Sequence, residues 1–76
     1  MEESGLDKLC INEEAVVCGY ADACDIKRRF MELGFVPGTK VKCVLVSPMG
    51  DPKAFLIKNT VIAIRDEDSR NIKICP

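Results

Sequence analysis

Histidine and tryptophan are missing from this sequence, and aromatic residues are few: one tyrosine and three phenylalanines. Without histidine the chain lacks the side chain that titrates nearest neutrality, the commonest acid–base catalyst and metal ligand. It has no Gly-x-Ser-x-Gly elbow, no Gly-x-x-x-x-Gly-Lys loop and no Cys-x-x-Cys pair. The usual marks of serine hydrolases, phosphate-cradling NTPases and thiol redox proteins are therefore absent. The expectation is a protein that is not an enzyme and carries no cofactor. Long apolar runs are lacking too: stretches such as Val61-Ile62-Ala63-Ile64 are far short of the roughly 20 residues of a membrane span. The opening Met1-Glu2-Glu3-Ser4-Gly5 has neither the basic start nor the apolar core of a signal peptide, so a cytoplasmic protein is expected.

Nor is there an excess of charge of one sign. Eleven basic and 12 acidic residues leave a formal charge of −1, which argues against a nucleic-acid binder but leaves room for a local basic patch. What is present is apolar: 47% of the 76 residues are hydrophobic, enough for a single folded domain over residues 1–76, with 1–5 expected to fray. The five cysteines, Cys10, Cys18, Cys24, Cys43 and Cys75, are an odd set without close pairs. They read as reduced thiols, several of them small core residues, and not as a disulfide framework or a zinc site. Cys43 is expected in the core, and Cys75, next to the C-terminus, is the thiol expected to be exposed.

Taken in order, Leu6 and Leu9 are spaced to cover one end of a core from a short helical turn. Residues 15–20 read as a first strand with apolar residues on both faces. Asp22 is an N-cap candidate for a helix over 23–33, with Asp25 adding a second carboxylate near its positive end. Ile26, Phe30 and Leu33 share one face of that helix and Lys27, Arg28 and Arg29 take the other. Gly34 ends the helix, Phe35 folds back on its last turn, and Val36-Pro37-Gly38-Thr39 fits a type II turn. Residues 40–46 form the next strand, with Val41, Cys43 and Leu45 on one face. The turn-rich 47–52 segment is a hairpin loop, 53–58 the return strand, and Asn59 the residue best able to take positive φ in the following turn. Strands over 61–65 and 71–75 flank a polar, one-turn helical 66–70 connection. About five short strands and one helix between the first and second suggest a small, partly open β-barrel with the helix plugging or bracing it.

The run Arg28-Arg29-Phe30-Met31-Glu32-Leu33-Gly34-Phe35-Val36-Pro37-Gly38-Thr39 closely resembles the R-R-L-x-E-L-G-[LF]-x-P-G-[TS] signature of the ferrous iron transport protein A (FeoA) family. Ser47-Pro48-Met49-Gly50-Asp51-Pro52 is similar to that family's P-x-G-D-P hairpin. Ile62-Ala63-Ile64-Arg65 is similar to its I-A-L-R strand, and Asp68-Ser69-Arg70-Asn71-Ile72-Lys73-Ile74 to its closing E-A-x-x-I-x-V segment. Leu6 and Leu9 suit its N-terminal L-x-x-L element. The departures are Asn59 for a frequent glycine, Ser69 for alanine, and Asn12 and Glu13 where a glycine turn is common.

The resemblance implies an SH3-like barrel that acts in the bacterial cytoplasm as an accessory regulator of ferrous iron uptake. Its implied partner is the membrane permease FeoB, through the cytoplasmic GTP-binding domain or inner loops, with no membrane insertion of its own. A similar domain also closes some iron-dependent repressors. The candidate partner-binding residues are Arg28, Arg29, Met49, Gly50, Asp51, Pro52 and Arg65. Each has a plainer reading beside it: a solvated basic helix face, hairpin-shaping prolines and glycine, and an ion pair of Arg65 with Asp66, Glu67 or Asp68. Two rival functions stand open. One is an SH3-like nucleic-acid module, disfavoured because so few aromatics leave no base-stacking platform. The other is direct transition-metal (Fe²⁺) binding by Asp66, Glu67 and Asp68 or by the cysteines, although no metal-site residue is assigned.

Overall fold

A computed structural model describes residues 4–21 and 27–75. The proposed Asp22 cap, Asp25, Ile26 and Cys24 lie outside the described residues. Six antiparallel strands form one sheet: β1 (Ser4–Gly5), β2 (Glu14–Tyr20), β3 (Lys40–Val46), β4 (Lys53–Ile57), β5 (Thr60–Ile64) and β6 (Ile72–Cys75). A 3₁₀ turn (Leu6–Lys8) follows β1, helix α1 (Lys27–Leu33) lies between β2 and β3, and a one-turn helix α2 (Asp66–Ser69) lies between β5 and β6. The strand order β1-β6-β2-β3-β4-β5 leaves β1 and β5 as edges, so the architecture is a mainly β, partly open barrel. There are six strands where about five were expected. Ser4 and Gly5 do not fray but pair with Ile74 and Lys73. Gly5 suits this place because a Cβ there would run into Asp7 Oδ1 and the Arg70 carbonyl.

The core lies inside the curved sheet. Leu6, Val17, Phe35, Val41, Cys43, Phe55 and Ile72 are fully buried, and Phe30 of α1 joins them. Bulges between Val17 and Gly19 and between Cys43 and Leu45 break the ladders and let the sheet bend. The second bulge corrects one expectation. Val41 and Cys43 point inward as expected, but the extra residue turns Leu45 outward, where it is 60% exposed. Asn12 adopts left-handed backbone (φ 70°). It therefore serves the first turn as glycine would, and the Glu13 N–H donates to the Cys10 carbonyl at 3.0 Å.

Tight turns shape the other connections. Lys58 and Asn59 both take positive φ, 48° and 66°, as a type I′ turn between β4 and β5 requires. Asn59 was expected there, and Lys58 adds the second left-handed residue. Gly50 (φ 85°) closes the 47–52 hairpin by donating its N–H to the Ser47 carbonyl at 2.8 Å, and the Asp51–Pro52 peptide is cis. Among the described residues no helix is long and apolar enough to cross a membrane.

Candidate interaction surfaces

The corner after α1 is built by two coupled turns. The Gly34 N–H donates to the Met31 carbonyl and the Phe35 N–H to the Phe30 carbonyl, at 3.1 and 3.0 Å. With Gly34 at φ 115°, this is a Schellman stop. Its hydrophobic contact is an edge-to-face pair, Phe30 with Phe35, with ring centroids 5.8 Å apart. Thr39 N–H then donates to the Val36 carbonyl at 3.1 Å across Gly38 (φ 95°), the type II turn expected from the sequence. Gly38 and Val17 tie the turn to β2, Gly38 N–H donating to the Val17 carbonyl and Val17 N–H to the Thr39 carbonyl. The Tyr20 hydroxyl donates to the Phe35 carbonyl at 2.6 Å. Phe35 takes the buried place that Leu33 was expected to share with Phe30, and Leu33 is left 44% exposed.

The exposed Arg28 and Arg29 stand on this anchored helix. Beside them Lys27, Arg28, Met31, Glu32 and Val36 line a shallow groove whose walls are almost wholly apolar. The stems of Lys27, Arg28 and Glu32 can supply apolar wall while their charged heads form a rim. Such a groove is suited to an apolar side chain flanked by acidic groups. Sequence reading pointed to the basic residues but not to Met31 and Val36. Their signal was present in the amphipathic pattern, where a half-buried methionine on a short helix need not belong to the core.

Met49 is 90% exposed at the tip of the 47–52 hairpin. Asp51 plays a structural part there: its Oδ1 accepts the Asp66 backbone N–H at 2.9 Å. The residue before α2, Arg65, provides no side-chain cap of its own, so Asp51 caps α2 from the neighbouring loop. That bond brings Met49, Gly50, Asp51, Pro52 and Arg65 together at one end of β4. The α1 corner sits at the other end, where the Lys58 side chain packs over Gly34. Four residue steps along β4 separate the two ends, about 13 Å. The seven candidate residues therefore divide between two surfaces, the basic α1 face and the hairpin with Arg65.

Asp66, Glu67 and Asp68 occupy the first turn of α2, where carboxylates suit the free N–H groups of a helix start. Ser69 is fully buried in that turn, its hydroxyl directed to the Asp66 carbonyl. Among the described residues no three Cys, Asp or Glu side chains converge to hold a metal ion. Cys43 is a core residue, and burial raises its thiol pKa above the ordinary 9.0. Among the described cysteines Cys10, and not Cys75, is the exposed thiol; Cys75 is half-buried in β6. Phe30, Phe35 and Phe55 are buried, and Tyr20 is half-buried with its hydroxyl bonded to the corner, so the surface offers no set of aromatic rings on which successive bases could stack.

Comparison with known proteins agrees with this architecture. Residues 5–76 match the FeoA domain family. A protein of Porphyromonas gingivalis described as an Fe(2+) transport protein A/Fe(2+) transporter FeoB fusion is 28% identical over 69 residues. That match covers 91% of this chain and only 8% of the fusion protein. The FeoA-like protein of Clostridium acetobutylicum superposes with a TM-score of 0.90 at 25% identity, over 99% of this chain and 87% of the other. Stenotrophomonas maltophilia FeoA, solved in complex with zinc and described as a prokaryotic SH3 domain protein, is 31% identical with a TM-score of 0.83. There the match covers 93% of this chain and 88% of the neighbour. With the match running through the helix corner, the hairpin and the closing strand, this chain belongs to the FeoA domain family.

Proposed function

We propose that this protein is a cytoplasmic accessory of ferrous iron transport that works by direct contact with a FeoB-type permease. The observation that carries the reading is the fused relative, in which a similar unit and the transporter share one polypeptide. Fusion holds two modules at high effective concentration, a gain only if they act on one another. The Stenotrophomonas maltophilia relative has been put forward as a ferrous iron transport activating factor, which fits an accessory role.

The contact is assigned first to the α1 face, where Arg28 borders the Met31–Val36 groove and exposed Arg29 adds charge on the same helix, and second to the 47–52 hairpin with Arg65. A fixed corner under an exposed basic helix presents its charges at little cost in ordering. Met49 offers an adaptable apolar contact at the hairpin tip. Ferrous iron is the cargo of the permease in this reading, and the accessory holds no catalytic group.

Co-purification with the permease tests this proposal. Wild-type protein is expected to be retained by the detergent-solubilised permease, and Arg28→Glu with Arg29→Glu to lose most of that retention while keeping its thermal unfolding curve. If the double variant unfolds, the two arginines are structural. If it folds and binds as wild type does, the contact lies elsewhere.

A further inference from the structure

Among the described residues nothing protects the β5 edge against pairing. Natural sheets blunt an open edge with charge, proline, glycine bulges or a covering element. Thr60-Val61-Ile62-Ala63-Ile64 contains none of these residues. It pairs with β4 along its full length through one flank, and the sheet ends at its other flank. Its side chains alternate, with Ile64 buried and Ile62 packed against the core, while Val61 (60% exposed) and Ala63 face outward. Across the ladder Val61 neighbours Leu56, and Ala63 neighbours Ala54, which in turn lies opposite Leu45. Apolar outward positions on three strands thus adjoin one another up to the sheet edge, with Leu45 and Val61 exposed and Ala54 between the outer strands buried.

We propose that this edge is a self-association surface, on which β5 pairs antiparallel with β5 of a second copy of this chain. Geometry restricts the register. Residues directly opposite in an antiparallel pair lie on the same face of the sheet, and a one-residue slip would set inward Ile62 against outward Ala63. Among the allowed registers, the one that pairs all five residues places Ile62 opposite Ile62, Val61 opposite Ala63 and Thr60 opposite Ile64. A shift by two leaves only three of the five residues of β5 paired.

Charge is favourable in the same register. Continued beyond the strand ends, it sets Lys58 against Asp66 and Asn59 against Arg65 of the second copy, and the two-fold axis makes each pair twice. The exposed Lys58 turn of one copy therefore meets the acidic 66–68 turn of the other. The outward apolar positions of the two β5 strands, Val61 and Ala63, become neighbours across the axis. Because the contact is one short strand per copy, the dimer falls at the small end of specific interfaces and is weak and concentration-dependent.

The test is sedimentation equilibrium of the full chain over three decades of concentration up to about 1 mM, with two double variants at the exposed outward positions. Wild type is expected to shift from monomer to dimer. Val61→Lys with Ala63→Lys opposes like charges across the axis and is expected to raise the dissociation constant at least about tenfold. Mixing that variant with Val61→Glu and Ala63→Glu is expected to restore association as a heterodimer. Intermolecular NOEs between Val61 and Ala63 in a mixed-label wild-type sample would fix the register. Monomeric wild type throughout overturns the proposal, and so does a dimer that persists in the lysine variant. A monomer whose lysine variant instead loses permease binding would give the edge to a different occupant, overturning self-association while leaving the accessory function intact.

Discussion

Replacing Asp51 with alanine separates a structural residue from a contact residue within the hairpin. In the folded protein its Oδ1 accepts the Asp66 N–H at 2.9 Å, and no side chain at position 65 performs that service. Loss of a helix cap costs about 0.5–2 kcal/mol. Asp51 is exposed, so water can replace part of the bond, and a value near 1 kcal/mol is expected. In a domain of this size that lowers the melting temperature by about 4–8 °C. Asp51→Asn keeps an acceptor oxygen and should recover most of the loss. Thermal unfolding by circular dichroism reads the cost, and amide exchange at Asp66 reads the bond itself, which should exchange faster in the alanine variant alone. An alanine variant as stable as wild type, or an asparagine variant as damaged as alanine, would refute the capping role. The pair also bears on function. If Asp51→Asn retains permease binding while Asp51→Ala weakens it, the carboxylate shapes the hairpin and is not itself the contact.

Two further outcomes follow from the core. Phe35→Ala removes a fully buried ring and its edge-to-face partner contact, at a cost of about 3–5 kcal/mol. A chain of this length is stable by only about 4–11 kcal/mol, so urea unfolding should show the variant near or past its limit; a loss under about 1 kcal/mol would contradict the assigned packing. Burial raises the Cys43 thiol, so the unfolded chain ionises first. Its contribution is intact below about pH 9 and declines as pH climbs from there through the folded value. Cys43→Ala should flatten that alkaline decline, and mass mapping after brief iodoacetamide treatment should find Cys10 modified well before Cys43.

The elements most readable from sequence were those with local causes. Gly34, Pro37 and Gly38 have backbone roles that their residue types nearly dictate, and the helix stop and type II turn stand where those residues place them. Strand β3 has the expected bounds, 40–46. The unreadable features depend on contacts between distant segments. Leu45 alternates correctly with Val41 and Cys43, and only the bulge against β4 turns it outward. Leu33 has the right helical spacing for the core, yet Phe35 returns through the Schellman stop to fill that space. Ser4 and Gly5 carry no strand signal, and their order comes from pairing with β6.

The candidate site was legible in its residues and not in its arrangement. Arg28 and Met49 announce themselves as charge and exposed apolar surface, but nothing local tells that they belong to opposite ends of β4. Likewise Asp51 reads as part of a turn motif until the Asp66 N–H is found on its carboxylate. The basic face of α1 remains the part of the surface whose sequence reading and geometry agree most closely. It is also the part on which the proposed accessory function rests.

Titration of ¹⁵N-labelled protein with the soluble cytoplasmic domain of a FeoB-type permease, followed by amide chemical shifts, tests that function most directly. The account predicts saturable shifts concentrated on residues 27–36, with a second group at 47–52 and Arg65, and no change across the buried strands. Spectra that stay unchanged with the cytoplasmic domain, and again with the intact permease in detergent, would contradict it.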